Sequence, residues 1–226
     1  MGIQIIGQGG QIQQIDATWR ASRVTSRPLD HGTLGQYRFS QIISLVVTQA
    51  ANSTLFSLRW TDATRLFVPV FMRLELIQTA AATATIMPAY QVFIARSFTA
   101  PDSAGANATL TGNNAKKRTS MGSSLLVGTD VRWSTVAAGL TVGTRVNDVN
   151  AIMEMLTQST ITTPNNTVYR KELDFTNSLD HPIVLVQNEG LVVRGPTVVF
   201  GAAGTASLIV ELAWAELTSY DNTQLG

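Results

Sequence analysis

No cysteine occurs in the 226 residues, which removes disulfides, thiolate nucleophiles and sulfur-ligated metal sites together and fits folding in a reducing cytoplasm. Histidine is nearly as scarce. His31 and His181, the only two, sit in Asp30-His31-Gly32 and Asp180-His181-Pro182, both of which read as turns. A general base needs a nucleophile and an orienting neighbour, and a metal site needs several convergent ligands, so neither histidine is given a catalytic or metal role. The carboxylates are scattered rather than paired. Neither Gly9-Gly10 nor Gly201-Ala202-Ala203-Gly204 is followed by the Lys-Ser/Thr of a phosphate loop. The expectation is a protein that is not an enzyme, uses no cofactor and takes no small-molecule substrate.

Charge is sparse too. Charged residues make up 14% of the chain, against roughly 25% in ordinary soluble domains. With 16 basic and 15 acidic residues the net charge is +1, so no global field draws the chain to nucleic acid or to an anionic membrane. The exterior is left to Thr, Ser, Asn, Gln and Ala, a surface suited to being covered by neighbouring subunits. Long apolar runs are missing as well. The best stretch, Ala80 to Ala95, is broken by threonines, Pro88 and Gln91, and falls short of the roughly 18 residues that a membrane helix needs. Met1 to Gln8 has neither the basic head nor the apolar run of a secretion signal, so the product is expected in the cytoplasm where it is made.

What is present is a two-residue rhythm. From Thr205 to Leu217 the even positions Ala206, Leu208, Val210, Leu212 and Trp214 are apolar, while Ser207 and Glu211 interrupt the odd row. Strand side chains alternate between faces, so this register buries one row and exposes the other. Leu66 to Leu76 repeats the pattern, with Pro69 inside it; proline donates no ladder hydrogen bond, so that strand is expected at an edge or with a bulge. Further strands are read at Ile42–Thr48, Leu55–Trp60, Ile86–Phe98 and Leu125–Trp133. Val168–Phe175 reads as a solvated edge strand. Ile183–Val186 and Leu191–Val193, separated by Gln187-Asn188-Glu189-Gly190, suggest a hairpin. Asp148 to Gln158 reads as a short helix, with Asp148 as its N-cap and Ile152, Met155 and Leu156 on one face. Pro101 to Ser124 is read as a long exposed loop.

These elements predict an all-β, jelly-roll-like antiparallel β-sandwich with an extended N-terminal arm and at most one short helix. Residues 1–38 form the arm. Their Gln4, Gln8, Gln11, Gln13 and Gln14 alternate with glycines and few large apolar groups, so they cannot readily offset their ordering entropy alone; the alternative is a first edge strand. Residues 39–226 form the sandwich. The one dense basic cluster is Lys116-Lys117-Arg118, inside the long loop. It reads either as a solvated loop or as a contact for an acidic patch on another subunit. Trp19, Trp60, Trp133 and Trp214 read as core or interface anchors rather than a sugar platform.

Arg59-Trp60-Thr61-Asp62-Ala63-Thr64-Arg65-Leu66, Phe93-Ile94-Ala95-Arg96-Ser97-Phe98-Thr99, Leu110 to Met121, Val186 to Arg194 and Val210 to Glu216 together resemble structural proteins of tailed-bacteriophage virions, over about residues 23 to 217. The resemblance implies a capsid decoration, or cement, protein, similar to jelly-roll trimers that clamp neighbouring major-capsid subunits. The implied partners are the major capsid protein and other copies of the chain in a homotrimer, and the implied location is the virion. Candidate capsid or intersubunit contacts are Ile3, Ile5, Arg20, Arg23 and Arg27 in the arm and Lys116, Lys117 and Arg118 in the loop. The alternatives are a tail, neck or head-fibre component, or a carbohydrate- or receptor-binding module.

Overall fold

The computed structural model describes residues 35–82, 84–158, 168–175, 182–199 and 205–218. These form β1 (Gln36–Leu45), β2 (Thr54–Trp60), β3 (Leu66–Ala80), β4 (Ala89–Ala100), β5 (Ala106–Asn107), β6 (Val131–Trp133), β7 (Thr144–Asn147), β8 (Met153–Leu156), β9 (Val168–Asp174), β10 (Glu189–Arg194) and β11 (Thr205–Leu217). One sheet has the order β1-β11-β3-β9; the other runs β5-β6-β2-β10-β4-β7, with β8 also paired to β4. Every pairing is antiparallel. The two sheets face each other across one core, so the protein is an all-β sandwich.

β11 occupies the bounds read from its alternation. Ala206, Leu208, Val210, Leu212 and Trp214 are buried, and Ser207, Ile209 and Glu211 stand partly exposed on the other face. On one side β1 pairs with Ala206–Ala215; on the other β3 pairs along the whole strand. An aromatic chain crosses from this sheet to the next: Tyr37 stacks on Trp214 at 5.6 Å, Trp214 on Phe67 at 5.6 Å, and Phe67 meets Trp60 of β2 at 5.5 Å. Phe39 closes a second aromatic contact with Phe56 at 5.8 Å.

Pro69 sits at the expected irregularity. The β3 register against β11 shifts between Phe71 and Pro69, and β9 pairs with Phe71–Ile77, so among the described strands only β11 is paired at residue 69. β9 is a solvated edge strand, as its charged row indicates.

Five local expectations give way in the folded chain. The helix expected over Asp148–Gln158 is β8, with Met153 and Met155 buried and Glu154 and Leu156 outward, laid along Ala89–Val92. Apolar residues at 153 and 155 satisfy a period of two as well as a helical face, and the open edge of β4 decides between them. Asp148 caps nothing; its carboxylate accepts from Arg96 at 2.8 Å. The 3-10 turn Gly128–Asp130 replaces the start of the strand read at Leu125 and leaves only Val131–Trp133 extended. The hairpin at 183–193 does not form. Its turn exists, with Asn188 at φ 63°, but Leu185 bridges to Phe67 of β3 while β10 lies between β2 and β4, so the turn carries the chain from one sheet to the other. The stretch 101–124 is not wholly exposed either, because Asp102, Ala108, Leu110 and Ala115 are buried. β1 begins at Gln36, so Gln36, Tyr37 and Arg38 belong to a strand.

β2 and β10 are buried on both faces, which is why neither alternates in sequence. Residues 99–105 leave β4, residues 134–143 return from β6 to β7, and the two meet at an antiparallel bridge between Ser103 and Thr141. Ala95, Phe98 and Val192 form a small second cluster apart from the main core, with Arg145 lying over the Phe98 ring. The four-stranded sheet carries a different outer face, with Arg73 joined to Glu211 at 2.6 Å and Ile42 and Val168 exposed.

The fully buried Trp214 is the test of this core. Trp214→Ala removes two ring contacts and is expected to cost about 3–5 kcal/mol in urea unfolding, whereas Ile42→Ser on the open face should stay within about 0.5 kcal/mol. Equal losses for the two variants contradict the inward register of β11.

Candidate functional site

Of the candidate contacts, Ile3, Ile5, Arg20, Arg23 and Arg27 lie outside the described residues, as do His31, His181 and Trp19. Lys116, Lys117 and Arg118 are described, and they are not a free loop. Lys116 pairs with Tyr37, the Arg38 amide donates to the Ala115 carbonyl at 2.8 Å, and the Lys117 amide donates to the Gln36 carbonyl at 3.3 Å. The loop is thus a short strand-like cover on the outer edge of β1. It brings Arg38, expected at the end of the N-terminal arm, beside the three basic residues. The alternation of β1 carries the only signal that could have found it, since Arg38 falls on the outward row with Ser40 and Ile42.

Next to this corner a groove of about 670 Å3 runs along β1, floored by the half-buried Phe39 and Trp133 and by Leu110, and rimmed by Arg38, Asn107 and Lys117. Its one acid, Glu211, is neutralised by Arg73.

Two buried polar nodes, neither anticipated from sequence, hold the framework around the surface loops. Asp102 and Arg145 form a bidentate pair at 3.0 and 3.1 Å, with side chains 0% and 2% exposed. Asp102 also accepts from the Gly143 amide at 2.8 Å, and Arg145 donates to Thr54 Oγ1 and Asn147 Oδ1 and lies over the Phe98 ring. Every polar arm of the pair is directed at its own chain. A Cβ at Gly143 would overlap the Ala100 carbonyl, so the close approach needs glycine there.

Glu216 is the second node. It accepts from Ser124 Oγ at 2.5 Å, from the Leu125 amide at 3.1 Å and from Trp214 Nε1 at 3.1 Å, tying residues 124–125 to the end of β11. Its position was legible, because carrying the even row of β11 one step past Trp214 places residue 216 inside. Burial pushes its carboxyl above the ordinary value, against the pull of those three donors. Burial, and then the Glu216 charge, push the Tyr37 phenol up to about 12, so it stays protonated and donates to the Gly122 carbonyl at 3.2 Å.

Among the described residues no group of three or more His, Asp or Glu side chains could hold a metal ion, and no helix is long and apolar enough to cross a membrane. The chain matches no protein-family model and no curated protein. The arrangement therefore has to be read from its own chemistry: saturated polar nodes inside, and a cationic corner beside an apolar groove outside.

Removing one partner of the buried pair leaves a charge without compensation, so Asp102→Ala is expected to lose about 3–5 kcal/mol of unfolding free energy. Asp102→Asn, which keeps an acceptor, should lose less. For Glu216, a folded pKa above the unfolded 4.5 means the folded state holds the proton more tightly; the folded state is favoured below 4.5 and loses that advantage as pH rises through the raised value. The melting temperature of the wild type relative to Glu216→Gln should accordingly fall as pH climbs from about 4.5, and a flat difference contradicts the buried carboxyl.

Proposed function

We propose that this chain is a structural protein of a tailed-phage virion, a decoration protein that binds the assembled head and stabilises it. The observation that carries the reading is the wiring of the sandwich. In the order β1-β11-β3-β9 facing β2-β10-β4-β7, successive long strands pass from one sheet to the other, β1 to β2 and β3 to β4, and the first and last strands lie side by side. That folded-over wiring is what a jelly roll produces, an architecture shared by viral capsid and lectin domains. The jelly-roll reading and the resemblance in sequence point the same way.

The physics of the role suits the surface. A protein that binds the assembled shell better than free subunits stabilises the shell by linkage, and several copies joined together multiply weak contacts into avidity. One sheet face is roofed by its own chain, while the other, together with the cationic corner, is open to partners. The polar nodes act as fasteners, keeping the surface loops in place without drawing on the shell. The implied partners are the major capsid protein and further copies of the chain.

Copy number in purified particles decides the place in the virion. A decoration protein is present in proportion to the major capsid protein, whereas a neck or tail component is present in far fewer copies. Deleting residues 1–20 is expected to abolish occupancy of the head while leaving the melting temperature of the domain unchanged. Undiminished occupancy contradicts a docking role for the arm.

A further inference from the structure

We infer that the β1 edge, beside Arg38 and Lys117, is a docking site for an extended acidic segment of a partner protein, which adds to the sheet as a strand. The inference deepens the virion reading and rests on it for who the partner is; the chemistry of the site rests on the geometry alone.

The first observation is an interrupted ladder. Residues 115–117 cover only the Gln36–Arg38 end of β1. The Arg38 amide points to this edge, and by the two-residue period so do the backbone groups of Ser40, Ile42 and Ser44. Among the described residues the only group that meets them there is the Gln41 side chain, which donates to the Ile42 carbonyl at 2.8 Å. An unpaired edge next to an existing paired segment is a template that an incoming strand can continue.

Charge is the second. Arg38, Lys116, Lys117 and Arg118 join no ion pair among the described residues, whereas five other arginines do. The loop backbone that carries Lys116, Lys117 and Arg118 is closed at both ends by its own turns, the Lys116 amide to the Asn113 carbonyl at 3.2 Å and the Met121 amide to the Arg118 carbonyl at 3.2 Å, so it is ordered before a partner arrives. Lys117 Nζ reaches Gln36 Oε1 at 3.3 Å, which places it on the same outward row as Arg38.

The third is the groove, whose Phe39, Leu110 and Trp133 lie on the inward side of the same edge. A strand added here meets cations on one face and apolar surface on the other, so its sequence should alternate acidic and apolar residues. Nucleic acid fits less well: the net charge is +1, the cations occupy one corner rather than a face, and an open strand edge pairs with a peptide backbone.

The test uses the full chain and a fluorescein-labelled peptide of alternating Glu and Val, followed by anisotropy. Saturable binding that weakens with added salt is expected, together with a loss of about tenfold or more in the Arg38→Glu/Lys117→Glu double variant. The same peptide N-methylated at every residue, which offers no amide donor on either edge, should not bind. Since both substitutions lie on the surface, an unchanged melting temperature separates lost binding from lost folding. Equal binding of a Lys/Val peptide or of the N-methylated peptide overturns the proposal, as does tighter binding of oligothymidylate at the same residues, or no binding up to about 1 mM. Failure here with decoration copy number in particles removes this site alone; peptide binding without particle occupancy removes the virion reading and leaves the site.

Discussion

The structure depends on the pairing of β11, which lies between β1 and β3 along its length and directs one unbroken row of apolar side chains into the sandwich. A strand bonded on both edges cannot shift by one residue without turning that whole row to solvent, so its register fixes those of its neighbours. Trp214 extends this control beyond the sheet. Through Tyr37 on one side and Phe67 on the other it joins the first strand to the aromatic pair at Trp60, so both sheets are locked through one side chain.

Protection of the two outer faces is unequal. Over the larger sheet the chain folds back on itself, buries Val192, Ala95 and Phe98, and secures the cover with the Asp102–Arg145 pair. Burying two charges is costly unless every donor and acceptor is answered. Here the guanidinium has carboxylate, amide, hydroxyl and aromatic partners, so the pair works as a fastener and leaves little capacity for an external ligand. The same holds for Glu216, whose three donors all come from its own chain.

On the smaller sheet the defences are local. A three-residue cover shields one end of β1, and charged side chains occupy the β9 edge, a common way of discouraging indiscriminate strand pairing. Among the described residues no strand covers the rest of the β1 edge, and Arg38, Lys116, Lys117 and Arg118 beside it join no ion pair.

The alternation in 205–217 and in 72–76 was legible because a face buried against a single core writes itself into the sequence as a period of two; Pro69 marked its bulge, but the bulge reverses the phase of β3 before it, so that Phe67 rather than Leu66 and Val70 faces the core. β2 and β10 were found as strands, but that both of their faces are buried is something no local pattern encodes. Met153 and Met155 fit either periodicity until the open edge of β4 chose the strand. Lys116 to Arg118 were visible as a cluster, yet Arg38, 78 positions away from Lys116 along the chain, joins them only through an edge pairing. The chain thus determined by itself which residues must be inside and that strands would put them there, because burial and the pleat act residue by residue. Which strands meet, which edge stays open and which distant charges share a corner were decided by tertiary structure, because pairing between strands far apart in sequence depends on the shape of the whole core.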